Sequence, residues 1–406
     1  MRVLLFSPLA GRDPASGDIS YTEALLAEPP PGVEYTTYAD AIDRGLVTIR
    51  GRRGKHGRAT LTDLMILGVR CAERFLRGRG MMFREPWWFV SIRPGEFDLV
   101  HQHLFPIRQI GTTIPVLSTA GYPLSVRYGD VDGWSTSRVR RATSFEKLAS
   151  KILRIHNPWL VGRPSNVMSG YSLKFWAFLV SHGASSSRTR VISTGLQELR
   201  LPAKRSNGRT LAFIGRDFAR KGGPDVIRAF RILKGRVPDL QLIVVTSSEN
   251  AIAHDISGSG VTLLVDIERA TLLYEYLPKI DILISPTTSD CGAPYAVLEA
   301  LQSGAAVVLS QNDWLDDRLI EPAVRRTLTG VSALVETIAD LLEPQNLAFA
   351  QAAARPLWQR HFSMTALQDD LVSAYVEALP KGSTATTATT ATQRRRASLH
   401  RIEVPS

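Results

Sequence analysis

Cysteine is almost missing from this 406-residue chain: there are two, Cys71 and Cys291. They are too few and too far apart for a disulfide scaffold or a cysteine zinc site, and their scarcity fits a reducing compartment. Histidine is sparse as well. Its eight residues are scattered, and none stands with Cys, Asp or Glu at metal-ligand spacing, so no bound metal is expected. No apolar run reaches the roughly 18 residues of a membrane span. The opening MRVLLFSPL is too short for the apolar core of a secretion signal and reads as a first buried strand. Two phosphate loops are absent too: there is no G-x-x-x-x-G-K-[ST] and no strand-linked G-x-G-x-x-G, which leaves ATPase and NAD readings without support.

The composition that is present, 44% hydrophobic and 21% charged, is that of a soluble globular protein. The length favours two domains with cores large enough to need no staples. Charge is uneven: residues 1–197 hold 26 Lys and Arg against 15 Asp and Glu, whereas residues 198–380 hold 18 against 22. Such asymmetry points the first half at something anionic, with membrane surface, nucleic acid and phosphorylated substrate all open on charge alone.

Short apolar runs alternate with helical patterns. In the first half VLLFSP, DLVHQHL, PVLSTA and NVMSGYS read as strands; after the linker VISTGLQELRLPAKRSNGR the alternation restarts with TLAFIG, LQLIVVT, VTLLVDI, DILISP and AAVVLS. Helices are expected at Pro224–Lys234, Arg269–Leu277, Pro294–Gln302, Val331–Leu342 and Met364–Leu379. Alternation of this kind predicts parallel sheets covered on both faces, in two Rossmann-like units. The Ser/Thr/Ala-rich stretch beyond Lys381 with its basic cluster is expected to be disordered.

Two stretches carry chemistry. In TLAFIGRDFARKGGPDVIRAF, Thr210–Phe230, a strand ends at Gly215 and a helix opens near Gly223–Pro224, where proline suits the first turn. Arg216 and Lys221 fall between them, beside helix amides that favour an anion and at the strand ends where ligands of open α/β sheets lie. They read as a diphosphate clamp; they read equally as a solvated basic loop. In SPTTSDCGAPYAVLEALQSGAAVVLS, Ser285–Ser310, a loop with Asp290 and Gly292 leads to a helix that starts at Pro294. Glu299 lies in its second turn and can lean back toward the N-terminus. There it can accept two hydrogen bonds from a ribose diol, or it is an ordinary exposed helix glutamate.

Together these stretches resemble the family-4 glycosyltransferases ("glycosyl transferases group 1"), retaining enzymes of the GT-B fold. FIGR with Arg216 and RKGG with Lys221 are similar to the family's diphosphate-binding F-x-G-R and K-G, and VLEALQSGAAVV is similar to its L-E-A followed by G-x-P-V-V. The resemblance extends to DLVHQH, to the hinge-like RVISTGL and to the closing HFSMTALQDDLVSAYVEAL. It implies two Rossmann-like domains facing across a cleft: an acceptor domain over 1–196, a donor domain over 197–362, a helix over 363–380 crossing back, and a basic tail over 381–406.

It also implies roles. Arg216, Lys221 and Asp290 would be catalytic; Gly17, Gly292, Ala293, Pro294 and Glu299 would hold the donor, Glu299 through its ribose. The chain departs from the family pattern in places. Eight residues before Glu299 stands Cys291 rather than an acid, with Asp290 one position early. Ala120 stands where the family often has a histidine facing the sugar, with His101 and His103 one strand away, and the first loop offers only Gly17, followed by Asp18. The Asp130–Asp132 pair is read as a solvated turn, not a metal site.

The implied reaction is metal-independent, retaining transfer of a hexose from a nucleotide-diphosphate sugar to a glycan or lipid-linked acceptor, with no cofactor. Two alternatives are kept: a nucleotide-sugar epimerase or hydrolase of the same fold, for which no further acid/base residue can be placed, and a non-catalytic GT-B-shaped scaffold. Arg52, Arg53, Lys55, Arg58, Arg70, Arg74, Arg77 and Arg79 surround LMILG and MMFREPWWF, and a second basic run is SRVRRATSFEKLASKILRIHNPWL. Cations mixed with aromatic and aliphatic residues suit an anionic membrane surface; a solvated face is the other reading, and no nucleic-acid module is seen. The expected location is the cytoplasm, with peripheral attachment to the inner face of a membrane.

Overall fold

The structure, a computed structural model, describes residues 1–9, 17–50, 61–78, 87–127, 129, 133–160, 165–254, 256–287 and 290–380. Arg52, Arg53, Lys55, Arg58, Arg79, the Asp130–Asp132 pair and the tail over 381–406 lie outside the described residues, as do the side chains of Asp18 and Arg77. The chain forms two compact units. The first holds Met1–Gly170, Phe175–Ile192 and the chain from Gln368 onward; the second holds Tyr171–Lys174 and Ser193–Leu367.

The first unit runs β1 (Arg2–Phe6), α1 (Gly17–Ala27), β2 (Glu34–Thr37), α2 (Tyr38–Asp43), β3 (Val47–Ile49), α3 (Leu61–Gly78), β4 (Trp88–Ile92), β5 (Leu99–His103), β6 (Ile107–Gln109), β7 (Val116–Thr119), α4 (Leu124–Val126), α5 (Thr136–Ile152), β8 (Val167–Gly170), α6 (Leu173–Ser181) and β9 (Thr189–Val191). Its main sheet has the order β2-β1-β5-β7-β8-β9, and every pairing in it is parallel. A second sheet, β3-β4-β6, contains an antiparallel pair, β3 with β4. Sequence reading gave no sign of it.

Strand β5 is buried at every position although it reads LVHQH. Buried polar groups usually find partners, and His101 and the Gln102 amide nitrogen do. Gln102 Nε2 donates to Ser118 Oγ at 2.7 Å. His101 lies 2.7 Å from the Tyr375 hydroxyl through Nδ1 and 3.0 Å from Thr119 Oγ1 through Nε2. The Tyr375 hydroxyl also meets that of Tyr35 at 2.7 Å.

The second unit runs β10 (Thr210–Ile214), α7 (Gly223–Arg236), β11 (Gln241–Thr246), α8 (Ser248–Ala253), β12 (Val261–Val265), α9 (Arg269–Thr271), β13 (Ile282–Ser285), α10 (Tyr295–Gln302), β14 (Ala306–Ser310), β15 (Val324–Thr327), α11 (Val331–Leu341), α12 (Pro344–His361) and α13 (Met364–Ala378). Its sheet, β12-β11-β10-β13-β14-β15, is parallel throughout. Strand side chains alternate between faces, and two cores follow. Ala212, Ile243, Leu283 and Val307 feed one cluster. Their neighbours Leu211, Leu242, Ile282 and Ala306 feed the other. That is why these strands read as nearly continuous apolar runs.

Two helical expectations change. The helix expected at Arg269–Leu277 is one α-turn, Arg269–Thr271, then a π-helical stretch, Leu272–Tyr276, and a 3₁₀ turn, Leu277–Lys279. Pro278 has no N–H to continue an α-ladder. Conversely, α12 was not read as a helix, and it runs 18 residues with Pro356 inside it. The last helix, α13, begins in the second unit and from Gln368 belongs to the first.

His101 is fully buried and its pKa is lowered to about 3, first by burial and then by the neighbouring His103. The folded state therefore excludes a proton that the unfolded chain takes up below about pH 6.5, so stability falls as pH drops from about 6.5 toward about 3. Denaturant unfolding of wild type should lose about 1.4 kcal/mol per pH unit through this group between pH 6 and 4, and His101→Gln should show a shallower slope. Identical slopes would remove His101 as the cause.

Candidate functional site

In the second sheet the chain starts at β10, places β11 and β12 on one side and β13, β14 and β15 on the other. The order reverses between β10 and β13, and at such a switch point the loops leaving neighbouring strands diverge and open a crevice at their carboxyl ends. The loop after β10 carries Arg216, Arg220 and Lys221; the loop after β13 carries Asp290 to Pro294. Both chemistry-bearing stretches thus arrive at one place.

Their side chains meet there. Lys221 Nζ lies 3.2 Å from Asp290 Oδ2 and Arg220 Nη1 lies 3.3 Å from Asp290 Oδ1. Arg220 Nε also donates to Asp217 Oδ2 at 2.6 Å. Burial pulls the Arg220 guanidinium down, but Asp217 and Asp290 outweigh it and its pKa stands above the ordinary value. Gly222, at φ 81° and ψ 17°, caps the start of α7. A Cβ there would stand 2.8 Å from Pro286 Cγ, so the two loops touch closely only because the residue is glycine.

Arg216 is placed differently from Lys221. Its side chain is exposed and makes no ion pair among the described residues. Its carbonyl oxygen accepts from Asn250 Nδ2 at 2.7 Å and from the hydroxyls of Thr246 and Ser247 at 3.3 Å each. The loop backbone is fixed, and the guanidinium is left to solvent.

The loop after β13 is held just as firmly. Asn312 Nδ2 donates to the Asp290 carbonyl at 2.8 Å. Gly292 N–H donates to the Trp314 carbonyl at 2.9 Å, and Ala293 N–H donates to Thr194 Oγ1 at 3.1 Å. Gly292 has φ 62°, and a Cβ on it would meet Tyr171 Cβ at 2.9 Å. The amide hydrogens of Gly292 and Ala293 are therefore committed within the unit, and these residues shape the loop that Pro294 ends as the N-cap of α10. Cys291 is half-buried.

Glu299 is not an exposed helix glutamate. It is 5% exposed, and Arg269 Nη2 lies 2.6 Å from its Oε1. Burial raises its pKa, and the Arg269 charge acts in the opposite direction. Of the eight site residues expected from sequence, seven lie in the second unit; Gly17 lies in the first, as the opening residue of α1. Arg220 and Arg269 were missed as site residues. Arg220 stood in the quoted motif with no role, and Arg269 stands after another strand, where only the packing of that segment against α10 reveals its neighbour. His101, weighed from sequence as a substitute catalytic histidine, has both ring nitrogens partnered inside the first unit, while Ala120 is buried at the end of β7. No group of three or more His, Cys, Asp or Glu among the described residues is placed to hold a metal.

Two α/β units, each on a parallel sheet, are the architecture of the GT-B glycosyltransferases. Solved structures share it across the chain. Sucrose-phosphate synthase from Thermosynechococcus elongatus is 16% identical with a TM-score of 0.58, covering 93% of this chain and 98% of its own. A glycosyltransferase from Rickettsia africae is 13% identical with a TM-score of 0.59, covering 94% and 99%. Anabaena HepE, in complex with UDP and glucose, is 13% identical with a TM-score of 0.59, covering 93% and 99%. Residues 208–344 match the family model described as glycosyl transferases group 1, which spans both loops of the site. The resemblance read in the sequence holds at that level. No curated protein matches the chain by sequence.

Removing the Arg269 guanidinium would leave a buried carboxylate without its partner. Arg269→Ala should destabilise the protein by about 1–3 kcal/mol at pH 7. The deficit should shrink as pH falls, because an unpaired Glu299 takes up its proton at higher pH and the neutral acid tolerates burial. Urea unfolding at pH 7 and pH 5 measures both, and Arg269→Ala combined with Glu299→Gln should recover most of the loss.

Proposed function

We propose that the protein is a retaining glycosyltransferase of family-4 type that moves a hexose from a nucleotide-diphosphate sugar to a glycan or lipid-linked acceptor. The observation that carries this reading is the meeting of Lys221, Arg220 and Asp290 at the switch point of the second sheet, within the residues that match the family. HepE, which shares the fold, is held with UDP and glucose, which favours the same donor class here.

Lys221 and the exposed Arg216 supply cations where the leaving diphosphate gathers charge. Fixed cations aimed at developing negative charge lower the barrier, so the step needs no metal and no cofactor. Lys221 grips as a point charge and Arg216 as a fork. Asp290, paired with Lys221 and Arg220, holds both cations in place until phosphate oxygens replace its own. Glu299 takes the ribose diol through its carboxylate, with Arg269 yielding or sharing Oε1.

Thermal-shift measurements with UDP-, GDP- and ADP-sugars test the donor class. A ligand that binds only the folded state stabilises it by about 2.7 kcal/mol at a hundredfold excess over Kd. One nucleotide series should raise the melting temperature; Lys221→Ala should abolish most of that rise and slow release of nucleoside diphosphate by about a hundredfold or more. Asp290→Asn should slow release while Cys291→Ser stays close to wild type. Full activity in both Lys221→Ala and Arg216→Ala would overturn the clamp.

Cys291, eight residues before Glu299 where the family has an acid, favours one second reading: a GT-B-shaped protein that binds the donor without turning it over. A thermal shift without any nucleoside diphosphate release above a heat-killed control would select it.

A further inference from the structure

Helix α3 is amphipathic with its faces reversed. Asp63, Arg70 and Glu73 turn toward the protein, while Arg74 is exposed at the edge of the outer face. Arg50 Nε lies 2.9 Å from Asp63 Oδ1. Glu73 is buried, and its Oε1 accepts the Trp87 N–H at 2.8 Å. The Arg70 guanidinium lies 5.9 Å from the centre of the Phe89 ring. Ile66, on that same side, packs with Trp87, Phe89 and Ile155.

The opposite side carries Leu64, Gly68, Cys71 and Phe75 at helical spacing, flanked by Met65 and Leu67. Leu64, Met65 and Phe75 are 56%, 67% and 59% exposed. A helix on a water-facing surface turns its polar residues outward; this one turns out a continuous apolar face.

Helix α5 shares that cluster: its Ala149 and the following Leu153 pack on it, as do Val69 and Leu76 of α3. It adds a second exposed stripe, Phe145, Leu148 and Ile152, at i, i+3 and i+7. The same helix holds Arg138, Arg140, Arg141, Lys147 and Lys151 against a single acid, the buried Glu146.

We propose that the α3–α5 face docks on an anionic lipid bilayer, with the apolar stripes entering the headgroup boundary and the α5 cations resting on lipid phosphates. Apolar side chains flanked by Lys and Arg are the pattern of an interfacial helix. No helix among the described residues is long and apolar enough to cross a membrane, so contact is made along the surface. A second copy of the chain fits worse as the occupant, because pairing α5 with α5 would set its cations against like charge. The link to a lipid-borne acceptor rests on the transferase reading above. The docking itself is tested without donor or acceptor, so the two can fail separately.

The full chain carrying Cys291→Ser, labelled at the exposed Cys71 with an environment-sensitive fluorophore, is mixed with vesicles of phosphatidylcholine alone or with phosphatidylglycerol added. At low salt the label should brighten and shift to the blue on anionic vesicles only, with about tenfold or more tighter binding than to neutral ones. Most of that preference should vanish at 1 M salt, where the Debye length is about 3 Å.

Leu64→Glu with Phe75→Glu should abolish the spectral shift, as should the milder Met65→Gln in part. Lys147→Glu with Lys151→Glu should remove the preference for anionic lipid. Each variant should keep the wild-type melting temperature and nucleotide response. No response to either vesicle overturns the proposal. So does a slow reaction of Cys71 with thiol reagent in lipid-free protein, which would place another part of the chain on the face. A dimer in sedimentation that Leu64→Glu dissolves would overturn it in favour of self-association.

Discussion

The candidate site depends on β10 and β13 being neighbours. Their side-by-side pairing brings together loops some seventy residues apart in sequence and allows Asp290 to reach both Lys221 and Arg220. Cations held in a partly dry crevice are costly without a counter-charge. Asp290 supplies one inside the protein. On the function proposed above, an entering phosphate would replace a carboxylate rather than fill a void, so the net attraction would be the difference between two ion pairs and the geometry is set before any ligand arrives. Gly222 and Gly292 serve the same end, since each lets backbone approach where a Cβ would collide.

The doubly wound plan was legible because its strands are buried on both faces and announce themselves as apolar runs. The loop residues were legible because Gly215, Gly222 and Gly292 punctuate them. Arg269 was not, since its partner Glu299 follows a different strand, and only the packing of the segment after β12 against α10 in one cluster makes them neighbours. The three-stranded sheet in the first unit was not legible, and the helix over Pro344–His361 was hidden by a proline, Pro356, that sequence reading treats as a break but tertiary packing retains.

The first half shows a subtler limit. Composition revealed cations mixed with apolar residues between Leu61 and Ile152, without revealing which way either faced. In α3 Asp63, Glu73 and Arg70 are spent inward, on Arg50, the Trp87 amide and the Phe89 ring, and Arg74 is exposed, so a count of charges alone overstates what that helix presents. The cations that face outward are mostly those of α5. Two helices folded against a common cluster therefore take different parts, one mainly apolar and one cationic.

Helix α13 has a consequence for the order in which the molecule is made. From Gln368 it belongs to the first unit, where Leu371, Ala374 and Tyr375 are fully buried and Tyr375 closes the hydrogen bonds of Tyr35 and His101. A ribosome that has released residues 1–192 must still add the whole second unit before this helix exists. At about 5–20 residues per second that wait is on the order of ten to forty seconds. Through it the first unit stands with an open apolar seam and a hydrated histidine, while the second unit can complete its own sheet as it emerges. The nascent chain's vulnerable half is thus the one synthesised first, and chaperone protection is needed longest at its N-terminal end.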